Sequence, residues 1–67
     1  MPADDETAEF EDVEVIAETD KAILCRIDGV EHWIPQSQVH DNSVVWGKGD
    51  KGTLVVTLWF AEKAGLV

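Results

Sequence analysis

The stretch that decides the fold reads AILCRIDGVEHWIPQSQV and covers residues 22–39. At its centre, the dipeptide Asp28-Gly29 separates two runs in which apolar and polar side chains alternate. This combination is the strongest short-range sequence signal for a β-hairpin closed by a two-residue turn. The length of such a turn sets the register of the two strands, and the register decides which side chains share a face.

The predicted register divides the hairpin into an apolar inner face and a mixed outer face. The cross-strand pairs of the inner face are Ile27–Val30, Cys25–His32 and Ile23–Ile34. Those of the outer face are Arg26–Glu31 and Leu24–Trp33. Pro35 lacks a backbone donor, so we expect it to end the ladder before one helical turn over residues 36–39. The inner face is the predicted core side of the hairpin.

The rest of the chain predicts three more strands and one helix. The alternation in DVEVIAE indicates a half-buried strand, and TLVVTL is the most β-prone run of the chain. The predicted segments are strands over 12–18, 43–46 and 53–58, a glycine-rich turn over 47–52 and a helix over 59–64. Gly65 follows that helix, where a left-handed residue commonly ends it.

These segments predict a mainly β fold. Five short strands with short connections are typical of a small, partly open barrel of the SH3-like or OB-like kind, here with a short C-terminal helix. A twisted antiparallel sheet with one helix against it is the alternative layout. We expect residues 1–10 to form a disordered acidic N-terminal arm, because they lack apolar periodicity, and residues 11–67 to form one domain.

The charge of the chain disfavours some partners. The formal net charge is −9; nine of the fourteen acidic residues lie in the first twenty positions, and all five basic residues lie from Lys21 onward. A negative field opposes nonspecific binding to phosphate backbones. The lone Cys25 forms no internal disulfide, and no apolar run is long enough to cross a membrane. The first residues lack a basic start and an apolar run, so we expect no secretory signal. We therefore expect a cytoplasmic protein without membrane contact.

Three short patterns that resemble reactive sites favour a structural interpretation. Cys25 and His32 share the apolar inner face, where a free cysteine behaves as a small hydrophobe. The run over 47–52 matches G-x-G-x-x-G, but a strand follows it where dinucleotide binding requires a helix. The pair His40-Asp41 lacks the further His and Asp residues of a metal-dependent phosphohydrolase. The sequence predicts no catalytic, cofactor or metal site, so the protein is not expected to be an enzyme.

The three tryptophans indicate binding instead, because so small a core cannot enclose all of them. We expect at least one to be half exposed and to anchor a protein partner. Stacking on single-stranded nucleic acid is one alternative, and an acidic arm that imitates DNA and inhibits a nucleic-acid-binding or defence protein is another. A homodimer through exposed sheet edges is also open. The predicted partner surface comprises Arg26, Glu31, Trp33, Trp46, Lys48 and Lys51.

One resemblance adds to this interpretation. The runs AIL over 22–24, DG over 28–29, WIP over 33–35, SQV over 37–39 and WFAEKAGL over 59–66 are typical of one group of proteins. The chain resembles, over about residues 20–66, these small proteins of bacteria and their phages, a group without an assigned activity. The resemblance implies an accessory role near phage replication or recombination, and it transfers no site to particular residues.

Overall fold

The computed structural model describes residues 6–67, which form one antiparallel four-stranded sheet followed by a short helix. The elements are β1 Thr7–Glu18, β2 Ala22–Ile27, β3 Val30–Pro35, a 3₁₀ turn Gln36–Gln38, β4 Lys51–Thr57 and α1 Leu58–Lys63. The strand order is β3-β2-β1-β4. No helix among residues 6–67 is long and apolar enough to cross a membrane.

The predicted hairpin is confirmed residue by residue. Asp28 and Gly29 have φ values of 52° and 81°, the two positive values that a type I′ turn requires. The pairs run from Ile27↔Val30 at the turn to Ala22↔Pro35 at the far end, in the predicted register. The backbone N–H of Gln36 donates to the Lys21 carbonyl at 2.8 Å and extends the ladder by one more pair.

β1 is one of the two interior strands, and it begins earlier than predicted. It pairs with β2 on one side and with β4 on the other. The expected disorder of residues 1–10 is wrong for residues 7–10, because they pair with β4 while Ala8 and Phe10 pack against the core. Residues 1–5 of the predicted arm lie outside the described residues. Two register shifts bend β1, one beside Asp12 at φ 58° and one beside Ile16.

The predicted strand over 43–46 is wrong, although this part of the chain runs along the outer edge of β4 and bonds to it. Val39 forms a single bridge with Val56, and the N–H of Val44 donates to the Thr53 carbonyl at 2.9 Å. Between these two points, the buried Ser43 hydroxyl takes the place of a backbone partner. It accepts from the Val55 N–H at 3.1 Å and donates to the Val45 carbonyl at 3.0 Å. A side-chain acceptor satisfies the edge without a continuous ladder.

The five-stranded, partly open barrel is therefore not confirmed. The described residues form four strands in a sheet that is not closed, together with one short helix. This arrangement agrees with the mainly β class and is closer to the alternative layout, an antiparallel sheet with one helix. β3 is left at one edge of the sheet, and β4 lies at the other beside residues 39–45.

The core lies between the inner face of the sheet and the segments that cross it. Its buried members are Val13, Val15, Ile23, Cys25, Ile27, Ile34, Val39, Val45, Leu54, Val56 and Ala61. α1 covers part of this core with Ala61 and Phe60. The Thr57 hydroxyl caps the helix, accepting from the Phe60 N–H at 3.2 Å. The helix ends as predicted, with Gly65 at φ 75° and the N–H of Leu66 donating to the Ala61 carbonyl at 2.8 Å.

We predict that Ser43→Ala destabilises the protein by about 1–3 kcal/mol, because it leaves the buried Val55 N–H without an acceptor. Urea unfolding monitored by tryptophan fluorescence measures the free energy of unfolding. Ser37→Ala is the matched control, because that serine is exposed in the 3₁₀ turn. Equal stability of the two variants would contradict the role given to the Ser43 hydroxyl.

Candidate functional site

The outer face of the sheet carries one row of alternating charges across all four strands. Glu14 of β1 lies opposite Lys51 of β4 on one side and opposite Arg26 of β2 on the other, and Arg26 lies opposite Glu31 of β3. Arg26 donates to the Glu31 carboxylate at 3.4 Å and lies 3.7 Å from the Glu14 carboxylate. Both ion pairs are half exposed, so they contribute orientation more than stability.

A second row on the same face is apolar. Ala17 of β1, Leu24 of β2 and Trp33 of β3 are cross-strand neighbours. The register shift beside Ile16 turns the Ala17 side chain to this face, where the unshifted alternation would have placed it inside. Trp33 is 52% exposed, whereas Leu24 beside it is half-buried. The outer face of the β2–β3 hairpin thus presents an indole next to fixed charges.

A shallow, open depression of about 280 Å³ lies at the turn end of the charged row. Its lining is almost entirely charged: Asp12, Glu14, Arg26, Asp28, Gly29 and Lys51. The depression therefore extends the polar part of the outer face and contains no apolar pocket for a small molecule.

The loop that carries Trp46 and Lys48 lies beside β1, on the side away from β3. Its shape comes from the Asp50 carboxylate, which accepts from the backbone N–H groups of Trp46 and Gly47 at 2.9 and 3.0 Å. These two hydrogen bonds lower the pKa of Asp50, and the bond from the Trp46 N–H has the larger effect. The Lys48 N–H donates to the Glu18 carboxylate at 3.0 Å. The glycine-rich run is thus a turn, as predicted, and the carboxylates of Asp50 and Glu18 hold it in place.

The structure brings together four of the six predicted surface residues. Arg26, Glu31 and Trp33 share the outer face of the hairpin, and Lys51 joins them through Glu14. Trp46 and Lys48 lie in the loop beyond β1, about three strand spacings, or roughly 14 Å, from β3.

Sequence reasoning missed Glu14, which contacts Arg26 and faces Lys51. The sequence did contain a signal for it: the alternation in DVEVIAE places Glu14 on the face of the strand away from the buried Val13 and Val15. The alternation does not indicate which strands lie next to β1, so the charged row could not be predicted from it.

All three tryptophans are exposed, which exceeds the prediction of at least one. Trp46 is 42% and Trp59 is 47% exposed. The Trp46 indole donates to the Ser43 carbonyl at 2.8 Å, and the Lys63 ammonium lies 5.1 Å from the centre of the Trp59 ring. Each of these two rings has a polar contact within its own segment. Trp33 lies opposite Leu24 in the apolar row.

Cys25 is fully buried on the inner face, as predicted, opposite the half-buried His32. Burial raises the pKa of the Cys25 thiol to about 11. The thiol is therefore protonated at neutral pH, whereas a nucleophile or a metal ligand must be a thiolate. Within residues 6–67, no group of three or more His, Cys, Asp or Glu side chains is placed to hold a metal ion.

No model of a known protein family matches this chain, and neither a curated protein nor a solved structure matches it.

We predict that Cys25 of the folded protein resists a disulfide reagent such as dithionitrobenzoate at pH 8, and reacts at once in denaturant. The unfolded thiol ionises near pH 9.0 and the folded one near 11, so the free energy of unfolding falls as pH rises between these values. Absorbance of the released thiolate reports the reaction. A folded-state rate equal to the denatured-state rate would contradict the burial of the thiol.

Proposed function

We propose that this protein is a non-enzymatic interaction module that binds another protein through the outer face of the β2–β3 hairpin, with Trp33 as the anchor. The observation that carries the proposal is the exposure of Trp33 on a hydrogen-bonded strand, beside Leu24 and the charged row. Tryptophan is the residue most enriched among those that dominate binding energy at protein interfaces.

The outer face has the anatomy of a small binding surface. Its apolar row supplies a centre that releases water on contact, and the charges of Glu14, Arg26 and Glu31 form a polar border on one side. The strands hold these groups in place, so little conformational entropy is lost when a partner binds. A partner with an apolar recess for an indole and a basic border fits this surface.

The same charges favour a protein over single-stranded nucleic acid. Proteins that stack bases on aromatic rings combine those rings with a positive groove along the phosphate backbone. Here the only arginine is shared between two carboxylates, at 3.4 and 3.7 Å. The net charge of −9 opposes a phosphate backbone further.

The buried thiol supports a role in binding more than in catalysis. Cys25 is the one cysteine of the sequence, and its thiol lies inside the core. Burial raises the pKa of this thiol to about 11, so it is a poor nucleophile at neutral pH. The cytoplasmic location expected from the charge and apolar pattern of the sequence belongs to the same proposal. So does the phage-associated accessory role, which the sequence resemblance implies.

An inhibitor that imitates DNA is the second candidate, and the order of β1 favours it. Exposed carboxylates lie on this paired strand at fixed spacing instead of on a mobile arm, namely Glu9, Glu11, Asp12 and Glu14. Neutralising the first three with Gln, Gln and Asn keeps the strand, since Asn also tolerates the positive φ of Asp12. Loss of partner binding in this variant, with binding intact in Trp33→Ala, would favour the inhibitor.

We predict that Trp33→Ala weakens partner capture roughly tenfold or more, the loss of an anchor worth at least about 1.4 kcal/mol. Tagged protein would be incubated with a bacterial lysate, and the retained proteins quantified by mass spectrometry. Trp59→Ala is the matched control, because it removes an indole of similar exposure from α1. Unchanged capture by a folded Trp33→Ala variant would contradict the proposal.

A titration with oligothymidylate at low salt separates the two kinds of partner. We expect no quenching of tryptophan fluorescence, because the outer face lacks a positive groove. Quenching that disappears as salt is added would transfer the function to single-stranded nucleic acid.

A further inference from the structure

β3 has a free edge within the part of the chain that the structure describes. The type I′ turn makes Ile27↔Val30 a hydrogen-bonded pair, and hydrogen-bonded pairs recur at every second residue. The hydrogen bond from the Gln36 N–H to the Lys21 carbonyl fits this alternation, because Lys21 and Gln36 are each six residues from the first pair. The backbone groups of Glu31 and Trp33 therefore point away from β2, with no partner among residues 6–67.

The opposite edge of the sheet, formed by β4, is covered by the chain itself. Beside β4, residues 39–45 provide a bridge at Val56 and donors to the carbonyls of Thr53 and Val55. The Ser43 hydroxyl accepts from the Val55 N–H as well. The fold thus covers one edge with its own chain and leaves the edge of β3 open, which is where a further strand adds to a sheet.

We propose that two copies of this protein pair through β3, antiparallel, about a two-fold axis that passes beside His32. The pairing joins two four-stranded sheets into one of eight strands. It uses the backbone of β3, so it does not rest on the proposed function of the outer face.

The hydrogen bonds select this register. With the axis beside His32, Glu31 of each copy lies opposite Trp33 of the other, and each such pair exchanges two backbone hydrogen bonds. Every free N–H of the edge is then used. An axis beside Trp33 would instead place Glu31 opposite Pro35. Proline has no N–H, so each copy would lose one hydrogen-bond donor.

Exposed apolar side chains point to the same register. Trp33 is 52% and Val30 is 55% exposed, although both lie on this one short strand. In the dimer, the two copies of Trp33 become diagonal neighbours on the outer face, within reach of aromatic side chains. On the inner face, Val30 of each copy lies opposite Ile34 of the other. The exposed Trp33 thus gains an aromatic contact across the axis.

A second copy fits this edge better than a long strand from another protein. The free donors are confined to two residues, and Pro35 ends the edge directly after them, so an identical two-donor edge is the matching partner. Glu31 is the charged group nearest to the axis. Each copy keeps it within 3.4 Å of its own Arg26, which reduces the repulsion between the two carboxylates.

An introduced disulfide tests the register directly. Residues facing each other across the axis in a non-hydrogen-bonded pair have Cα atoms about 4.5 Å apart, which suits a disulfide. In a Cys25→Ala background, His32→Cys is expected to form a disulfide-linked dimer in a glutathione redox buffer. Val30→Cys is the matched control: it lies on the same face and is more exposed, but its two copies would be roughly 14 Å apart.

The expected result is at least roughly tenfold more cross-linked dimer for His32→Cys than for Val30→Cys on a non-reducing gel, because pairing raises the effective thiol concentration. Equal cross-linking of both variants, or none in either, would overturn the proposal. So would cross-linking of the Val30→Cys variant alone. Circular dichroism establishes that each variant is folded.

The wild-type chain provides a test without any substitution. Sedimentation should show the mass rising from 7.4 kDa toward twice that value as concentration increases into the millimolar range. Over the same range, amide exchange at Glu31 and Trp33 should slow, while exchange at Val44 stays unchanged. A monomer throughout would overturn the dimer and would leave partner capture through Trp33 as a separate question.

Discussion

The two-residue turn at Asp28-Gly29 is the constraint on which the rest of the structure depends. Both residues adopt a positive φ, and the resulting turn allows one register for β2 and β3. Since side chains alternate along a strand, a slip of one residue would exchange the two faces of a strand. The observed register places Ile23 and Ile34 in the core and Trp33 outside.

The same register also decides which backbone groups reach solvent. Because the bonded pairs begin at Ile27 and Val30, the amides of Glu31 and Trp33 point to the open edge. One local turn therefore determines three properties of this small protein: which side chains are buried, which side chains lie on the outer face, and which backbone groups lie at the open edge. Burial of the Cys25 thiol follows from it too.

Local sequence was sufficient where local chemistry decides the conformation. The turn, the pairs of the hairpin and the left-handed Gly65 after α1 all follow from residues close together in the chain. It was insufficient where a distant segment decides. Thr7–Phe10 is too short a run to show an apolar period of its own, yet it forms a strand because β4 pairs with it. Ser43–Trp46 has the composition of a strand, but the buried Ser43 hydroxyl satisfies the edge of β4 in its place. The charged row depended likewise on which strands became neighbours.

The measurement that tests the central claim most directly is a set of nuclear Overhauser contacts between Hα atoms across the hairpin. Non-hydrogen-bonded pairs bring these atoms together, with their Cα atoms only about 4.5 Å apart. The register described above gives strong contacts for Leu24 with Trp33 and for Arg26 with Glu31. A strong contact between Cys25 and Trp33 instead would turn the indole inward and contradict both the outer face and the open edge.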